Sequence, residues 1–281
     1  MDLDTYRQWI GRTEQRTDLV TPAPLASLSA TLDREDPDPA PGTELPPLWH
    51  WMFFTPRALA RNIGPDGHER RGGFLPPVEL PRRMFAGGRL EFRHPPKVGD
   101  EIRRHSRILD VSGKQGRSGT LVFVTVRHEI ANANGVAIVE EHDIVYRDHP
   151  APGAPQPAPE VAPANAEFSR EIVPDPVLLF RYSALTFNGH RIHYDRDYAT
   201  QVEGYPGLIV HGPLIATLLV DLLRRNLPEA RVRRFAFKAR RPVFDIHRFQ
   251  VCGRREADDR VSLWTRDHEG FLTMEATAEL D

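Results

Sequence analysis

The sequence is poor in cysteine: Cys252 is the only one among 281 residues. A single cysteine excludes an intrachain disulfide and a cysteine-based zinc site, and it fits a reducing compartment. No apolar run approaches the roughly 20 residues that a helix needs to span a bilayer. Residues 1–30 carry acidic side chains and lack the apolar core of a signal peptide. We therefore expect a soluble, cytoplasmic protein with no membrane partner.

Charge of one sign is also lacking, since the formal net charge is only −2. Nucleic-acid-binding domains usually show a strong basic excess, so a polyanion is not the expected partner. The motifs GxxxxGK[ST], GxGxxG and HExxH do not occur. These absences argue against a phosphate loop, a dinucleotide fold and a zinc hydrolase, and we expect a small-molecule ligand without a metal.

Proline divides the chain into two parts. Residues 150–163 contain six prolines, too many for helix or sheet hydrogen bonds, and predict a linker. At this length two medium cores are the better expectation. The predicted organisation is an N-terminal lobe at 1–149, a linker at 150–167 and a C-terminal lobe at 168–281.

Apolar patterning between turn residues predicts strands in both lobes. The expected strands are Arg89–Arg93, Glu101–Val111, Gly119–Ala131 and Val136–Tyr146, then Val232–Pro242, Phe249–Glu256, Val261–Asp267 and Phe271–Ala278. One long helix is expected at Pro213–Arg225, because proline suits a first helical position. The Gly- and Pro-rich residues 63–88 predict an irregular connection, part of which covers the site.

The stretch from Phe180 to Leu223 concentrates polar groups that soluble chains usually scatter. Eight residues hold five of them: Asn188, His190, His193, Tyr194 and Asp195. His211-Gly212-Pro213 follows, just before the apolar helix. The free N–H groups and positive dipole end of that helix can hold an oxygen that becomes negative during a reaction.

These residues resemble the motif of the MaoC-like, R-specific enoyl-CoA hydratase family of hot-dog folds, Asp-x-Asn-Pro-x-His-x-Asp with a later His-Gly. His193 matches the histidine of the motif, Asp195 its last aspartate and Gly212 the later glycine. Asn188 replaces the first aspartate, and His190 and Arg191 replace asparagine and proline. These replacements are similar to the motif of one branch of the family. That branch contains mitochondrial 3-hydroxyacyl-thioester dehydratases and bacterial itaconyl-CoA and mesaconyl-C4-CoA (3-methylfumaryl-CoA) hydratases.

The resemblance spans nearly the whole chain and implies an α+β double hot-dog, with two antiparallel sheets that each wrap a helix. The N-terminal lobe would be non-catalytic and shape the substrate pocket, and the C-terminal lobe would carry the hydratase motif. The implied activity is reversible hydration of a short α,β-unsaturated acyl-CoA, dicarboxylic and of itaconyl or mesaconyl type. CoA is part of the substrate, and no cofactor is expected. The protein is expected to form a homodimer or a higher homo-oligomer. The alternatives are a 3-hydroxyacyl-thioester dehydratase of fatty-acid metabolism and a non-catalytic acyl-CoA-binding protein.

The same resemblance implies a role for each candidate residue. His193 would move the proton, because histidine titrates near neutral pH, and Asn188 would orient the water because an amide is not a base. The Gly212 N–H would hold the thioester oxygen, and Asp195 would cap or orient its neighbours. His190 is the candidate substitute for the missing aspartate, and His211 is expected to be structural. The other candidates for substrate binding are Tyr182, Tyr194 and Arg191 for a carboxylate and Arg240 and Arg241 for the CoA phosphates. Solvated or packed side chains remain the alternative for these five.

Overall fold

The computed structural model of the chain describes residues 3–116, 119–148 and 158–281. These residues form one antiparallel sheet of ten strands, together with four α-helices. The strands are β1 Thr13–Leu19, β2 Arg82–Phe92, β3 Glu101–Gly116, β4 Gly119–Asn132, β5 Gly135–Arg147, β6 Phe168–Ile172, β7 Val232–Ala239, β8 Phe249–Ala257, β9 Arg260–Arg266 and β10 Leu272–Leu280. The helices are α1 Leu3–Arg7, α2 Pro22–Thr31, α3 Pro176–Thr186 and α4 Gly212–Asn226. Short 3-10 turns cover Trp49–Met52, Ala60–Asn62 and Arg191–His193, and a π-helical turn covers Tyr198–Val202.

The strand order repeats itself on either side of the sheet centre. It reads β1-β3-β4-β5-β2-β7-β10-β9-β8-β6, so the first five strands and the last five take corresponding positions. The halves join where β2 pairs with β7, with Gly87 opposite Lys238 and Leu90 opposite Phe235. Two half-sheets of the same topology thus fuse into one. The predicted lobe boundaries stay a prediction, and residues 150–157 of the predicted linker lie outside the described residues.

The described end of that linker bonds to the C-terminal half. Ala162 N–H donates to the Gly270 carbonyl (3.0 Å), and the Glu160 carbonyl accepts from Leu272 N–H (2.8 Å). The expectation that this stretch makes no sheet hydrogen bonds is therefore wrong here. Residues 160–162 contain no proline, so their backbone groups are free to bond.

Helix α4 is the core element of the C-terminal half. All ten residues from Leu214 to Leu223 are buried, and α4 packs on β6, β8, β9 and β10. The other half has no equivalent long helix among its described residues; its counterpart is the 3-10 turn Trp49–Met52. Prolines at 46, 47 and 56 flank this turn. Proline disrupts the interior of a helix, and it disfavours the helical conformation in the residue before it.

The strand predictions hold for the hairpins and miss the edges. The strands predicted from 101 onward each overlap an observed one, whereas β1 and β6 were not predicted. Both lie at the sheet edges, and β1, with sequence TEQRTDL, has no fully buried residue. Strand β2 begins at Arg82, inside the stretch predicted to be irregular. The prediction was wrong there because it took Gly87 and Gly88 as loop residues, whereas both lie within the strand.

Buried Asp221 ties α4 to the N-terminal half. Its carboxylate accepts from Arg34 (2.9 Å), Arg170 (3.1 Å) and Arg225 (2.8 Å), and its side chain is only 1% exposed. Arg170 and Arg225 also donate to the Leu32 carbonyl after α2. These contacts fasten α4 and β6 to the end of α2.

We predict that Asp221→Ala lowers the free energy of unfolding by about 3 kcal/mol or more, because it removes the buried carboxylate that three partly buried arginines share. Glu279, an exposed acid that contacts Arg233 and Arg234, is the matched control. Glu279→Ala should cost under about 1 kcal/mol. Urea unfolding of both variants measures the difference, and equal losses would contradict the internal tie.

Candidate active site

His193 is held at the end of a short 3-10 turn and is buried, with 7% exposure. Its Nδ1 lies 2.7 Å from the Ile209 carbonyl oxygen. A carbonyl only accepts, so Nδ1 carries the proton and Nε2 presents a lone pair. Burial lowers the pKa of His193 to about 4, although the Ile209 carbonyl opposes the shift. The imidazole is therefore neutral at pH 7, with a fixed tautomer and a basic nitrogen facing away from Ile209.

His211 stacks against the His193 ring and immediately precedes α4. The two imidazole rings stack with centroids 3.7 Å apart, and His211 Nε2 shares a hydrogen bond with Ser183 Oγ (2.8 Å). The next residue, Gly212, is the first of α4, so its N–H has no acceptor within the helix. The structure brings His193 and the N-terminus of α4 together, as the motif spacing predicts.

Asn188 and His190 form a tight turn before His193. Asn188 Oδ1 accepts from the His190 backbone N–H (3.0 Å), which leaves the Asn188 amide N–H groups as donors. The His190 ring lies 5.4 Å from the His193 ring, centroid to centroid. Burial, reinforced by the charge of His68, lowers the pKa of His190 to about 2. His190 is thus neutral and close to His193.

A loop from the N-terminal half docks on this turn. The Asp66 carbonyl accepts from Arg191 N–H (2.9 Å), and the His68 ring lies 4.0 Å from the His190 ring. A Cβ built on Gly67 would fall 1.8 Å from the Gly189 carbonyl oxygen. The expectation that part of residues 63–88 covers the motif is confirmed, and the close approach requires glycine at 67.

Asp66, His68 and His190 are also the one group of potential metal ligands in the described part of the chain. Their ligand atoms lie within 4.8 Å of one another, and one carboxylate with two imidazoles suits several divalent metals. Asp66 Oδ2 already pairs with His68 Nδ1 at 3.0 Å, which explains the cluster without an ion. The expectation of a site without metal or cofactor stays a prediction.

Two of the predicted substrate contacts, Arg191 and Tyr194, have structural partners instead. Arg191 donates to Asp195 Oδ2 (2.8 and 2.9 Å) and to the Pro65 carbonyl, and Asp195 Oδ1 accepts from Tyr198 N–H (3.0 Å). Asp195 therefore caps and orients, as predicted. Tyr194 is 49% exposed, and its hydroxyl donates to the Gly189 carbonyl (3.0 Å). Arg191 and Tyr194 brace the loop, which differs from the substrate-binding role predicted for them.

Tyr182 is the predicted contact that faces inward. It is buried on α3, with its ring centroid 5.1 Å from that of His211, and burial raises the pKa of its hydroxyl. Arg240 and Arg241 lie at the far end of β7, where Arg240 donates to Glu275 (2.6 Å) and Arg241 faces Asp267 (3.6 Å). No described interaction joins either arginine to the histidine cluster, and their predicted role at the CoA phosphates stays a prediction.

The chain matches the family model described as hydroxyacyl-thioester dehydratase type 2 over residues 48–245. The chain belongs to this family. It is 48% identical over 278 residues to a mesaconyl-C(4)-CoA hydratase of Chloroflexus aurantiacus, covering 98% of both chains. It is 28% identical to the mitochondrial hydroxyacyl-thioester dehydratase type 2 of Schizosaccharomyces pombe, covering 84% of this chain and 88% of the relative. A conserved hypothetical protein of Mycobacterium tuberculosis with a double hot-dog fold superposes with a TM-score of 0.61 at 14% identity, over 97% of this chain and 96% of that one.

These matches confirm the predicted family and the α+β double hot-dog fold. In this member of the family the two sheets are continuous, and only the C-terminal half wraps a long helix among the described residues. None of the described helices is both long and apolar enough to cross a membrane.

The candidate site has an aromatic wall that the motif does not reveal. Phe85 of β2 lies 3.3 Å from a Cβ built on Gly212. Its ring centroid lies 5.2 Å from that of Phe237, 6.2 Å from that of Trp51 and 4.2 Å from that of His142. Trp51 belongs to the aromatic stretch Leu48–Phe54, which the sequence favours as core. For Phe85 and His142 no local signal exists, because only the β2–β7 pairing brings them to α4.

We predict that Gly67→Ala undocks the N-terminal loop and strongly reduces activity, because the new methyl group would overlap the Gly189 carbonyl. Gly42 has nearly the same backbone angle (φ +88 against +90) but no atom within 4 Å of a built Cβ, so Gly42→Ala controls for backbone strain. Steady-state rates and melting temperatures compare the two. Equal rates in both variants would contradict a role for the docked loop.

The pKa values of the buried histidines also predict a pH dependence. The base form of His193 persists above its pKa of about 4, so kcat/KM should stay level from pH 8 down to about pH 5 and fall near pH 4. For stability the sign is the same. In the unfolded chain His193 binds a proton near pH 6.5, whereas in the folded chain it does so only near pH 4. Stability therefore falls as pH drops from 6.5 to 4. A kcat/KM limb near pH 6.5 would contradict the assignment.

Proposed function

We propose that the protein adds water reversibly to a short α,β-unsaturated acyl-CoA. The observation that carries the proposal is that the His193 ring, with Nδ1 bonded to Ile209 and Nε2 unprotonated, stacks on His211, the residue immediately before α4. Hydration of a conjugated thioester needs a base for the water, a proton donor for the α-carbon and stabilisation of the thioester oxygen. These groups supply all three, and the 48% identical relative is a hydratase, which opposes a non-catalytic binding role.

The proposed reaction begins with water on the β-carbon. Nε2 of His193 takes a proton from this water as its oxygen bonds to the β-carbon, and the electrons of the double bond move to the thioester oxygen. The Gly212 N–H and the positive end of α4 stabilise that oxygen. The imidazolium then returns the proton to the α-carbon. Its low pKa makes it a strong acid, so this second transfer is favourable.

Asn188 positions the water in this scheme. With Oδ1 bonded to the His190 N–H, the Asn188 amide can donate to the water oxygen, which directs the water's own proton toward His193. An aspartate at 188 would accept the same backbone bond. The family difference at this residue thus moves the proton chemistry onto His193 without changing the turn.

The acyl group is short in this proposal. Phe85 stands next to Gly212, where the thioester would lie, and the rings of Trp51 and Phe237 pack against Phe85. We expect these rings to limit the length of the acyl chain that fits beside Gly212. The hydratase relative acts, by its name, on mesaconyl-C(4)-CoA, which favours a dicarboxylic substrate of mesaconyl type over an itaconyl one.

A 3-hydroxyacyl-thioester dehydratase of fatty-acid metabolism is the second candidate. The family model and the Schizosaccharomyces pombe relative are described as hydroxyacyl-thioester dehydratase type 2, and dehydration is the same chemistry in reverse. Assays with short and long enoyl-CoA esters distinguish the two, since the aromatic wall predicts faster turnover of the short ester.

We also propose that the protein forms a homo-oligomer. Val177 and Phe180 on α3 and Phe187 just after it are 61%, 64% and 64% exposed, and exposed apolar clusters often mark interfaces. Light scattering tests this. The cytoplasmic location stays a prediction.

We predict that His193→Ala lowers kcat on an enoyl-CoA by a factor on the order of 10² or more, because the general acid–base is lost. The fold should remain, as judged by the melting temperature. Asn188→Asp should keep activity, since its carboxylate can hold the turn and also act as a base. The loss of enoyl-thioester absorbance measures each rate. Turnover of His193→Ala within a few-fold of the unchanged protein would sink the assignment.

A further inference from the structure

Arg83 lies on the N-terminal side of the site. It precedes Phe85 by two residues on β2, so both side chains leave the same face of the strand. That face meets α4, because Phe85 contacts Gly212. In the β2–β5 register Arg83 stands opposite Tyr146, and Phe85 stands opposite Ile144. Arg83 therefore points to the inner face of the sheet, beside the predicted acyl position.

The surroundings of Arg83 are rich in positive and neutral groups. It is close enough to His68, His142 and His190 for its charge to help burial lower the pKa of each. Arg71 lies over the Tyr146 ring, 5.4 Å from its centroid, and donates to the carbonyls of Val78, Leu80 and Pro81. The acids around these histidines already have partners: Asp66 is bonded to His68, Glu140 to His50 and Asp143 to Arg89.

No carboxylate lies within ion-pair distance of Arg83 in residues 3–116, 119–148 and 158–281. Its neighbours on β2 differ. Arg82 pairs with Glu203 (3.2 Å), and Arg89 pairs with Glu141 (3.0 Å) and Asp143 (2.7 Å). A partly buried arginine without an acid is costly unless a ligand supplies the negative charge.

The residues that the sequence offers for a substrate carboxylate do not fill this role. Arg191 is committed to Asp195 and the Pro65 carbonyl. Tyr182 packs against His211, with the ring centroids 5.1 Å apart, and the Tyr194 hydroxyl donates to the Gly189 carbonyl. Arg83 faces inward and has no such partner among the described residues.

We propose that Arg83 binds the free carboxylate of a dicarboxylic acyl-CoA substrate. The proposal rests on the proposed hydration and names its substrate class. In a thioester of 3-methylfumaryl type, the carboxylate is attached to the β-carbon that water attacks. Its receptor must therefore lie close to His193, and the ring contacts from His193 through His190 to His68 lead toward Arg83. A guanidinium can hold such a carboxylate through two parallel hydrogen bonds.

Two substrates that differ only in this group test the proposal. 3-Methylfumaryl-CoA carries the carboxylate, and 3-methylcrotonyl-CoA carries a methyl group in its place. Arg83→Met should lower kcat/KM on the first by roughly 10- to 100-fold, the range for losing a charge-assisted contact. Its kcat/KM on the second should stay within about two-fold, because that ester has no carboxylate for Arg83 to bind. Arg83→Lys should retain part of the activity on the first.

Arg89→Met is the matched control, since Arg89 lies on the same strand but pairs with surface acids; it should change neither rate. Equal losses on both esters in Arg83→Met would overturn the carboxylate role in favour of a structural one. If Arg83→Met does not fold, Arg83→Lys decides by the same comparison. A wild-type protein that hydrates 3-methylcrotonyl-CoA as fast as 3-methylfumaryl-CoA also overturns the inference and leaves the hydratase intact. Hydration of neither ester would remove the proposed function itself.

Discussion

The pairing of β2 with β7 is the contact on which the site depends, because it places one half of the molecule against the α4 N-terminus of the other. Glycine makes this pairing possible. A Cβ built on Gly87 would lie 2.5 Å from the Phe237 carbonyl oxygen, and one on Gly88 would lie 3.0 Å from the Phe237 ring. Any larger residue would push the strands apart. The same two glycines let the strand continue from Arg83 and Phe85, which face the histidine motif.

Burial gives the site its electrostatic character. His190, His193 and His211 all have pKa values lowered first by desolvation, so three imidazoles stand together without mutual repulsion. Their neutrality leaves Arg83 as the inward-facing charge in the proposed carboxylate site. It also leaves His193 free to take a proton and return it. The N-terminal half carries a separate buried acid, Glu140, whose pKa falls to about 2 through bonds to His50 despite burial, and which also accepts from Trp51. Glu140 thereby fixes Trp51 in the aromatic wall.

The sequence predicted the parts of the site that are local in the chain. Motif and spacing located His193, Asn188 and the start of α4 within a residue, because these groups are joined by short turns whose residue types are constrained. Arg191 and Tyr194 lie in the same motif, but periodicity gives no direction to a side chain in a loop, and both brace the backbone instead. Arg83 and Phe85 could not be found, because they reach the site through a pairing between strands that are about 150 residues apart.

The same limit applies to the fold. Hairpins with clear turns were predictable, whereas the edge strands β1 and β6 have no continuous apolar pattern. The N-terminal half lacks a long helix because prolines flank the turn at the corresponding position. These prolines are visible in the sequence, but the expectation of two similar halves outweighed them. Sequence patterns therefore predict each half better than the way in which the halves meet.

In the proposed mechanism a single histidine, His193, takes a proton from water and delivers it to the α-carbon. Hydration of the enoyl-CoA in D2O, followed by NMR of the product, tests this claim most directly. One base on one face of the double bond predicts that deuterium enters the α-carbon on the same face as the new hydroxyl group. Deuterium on the opposite face would require a second proton donor across the substrate and would contradict the account.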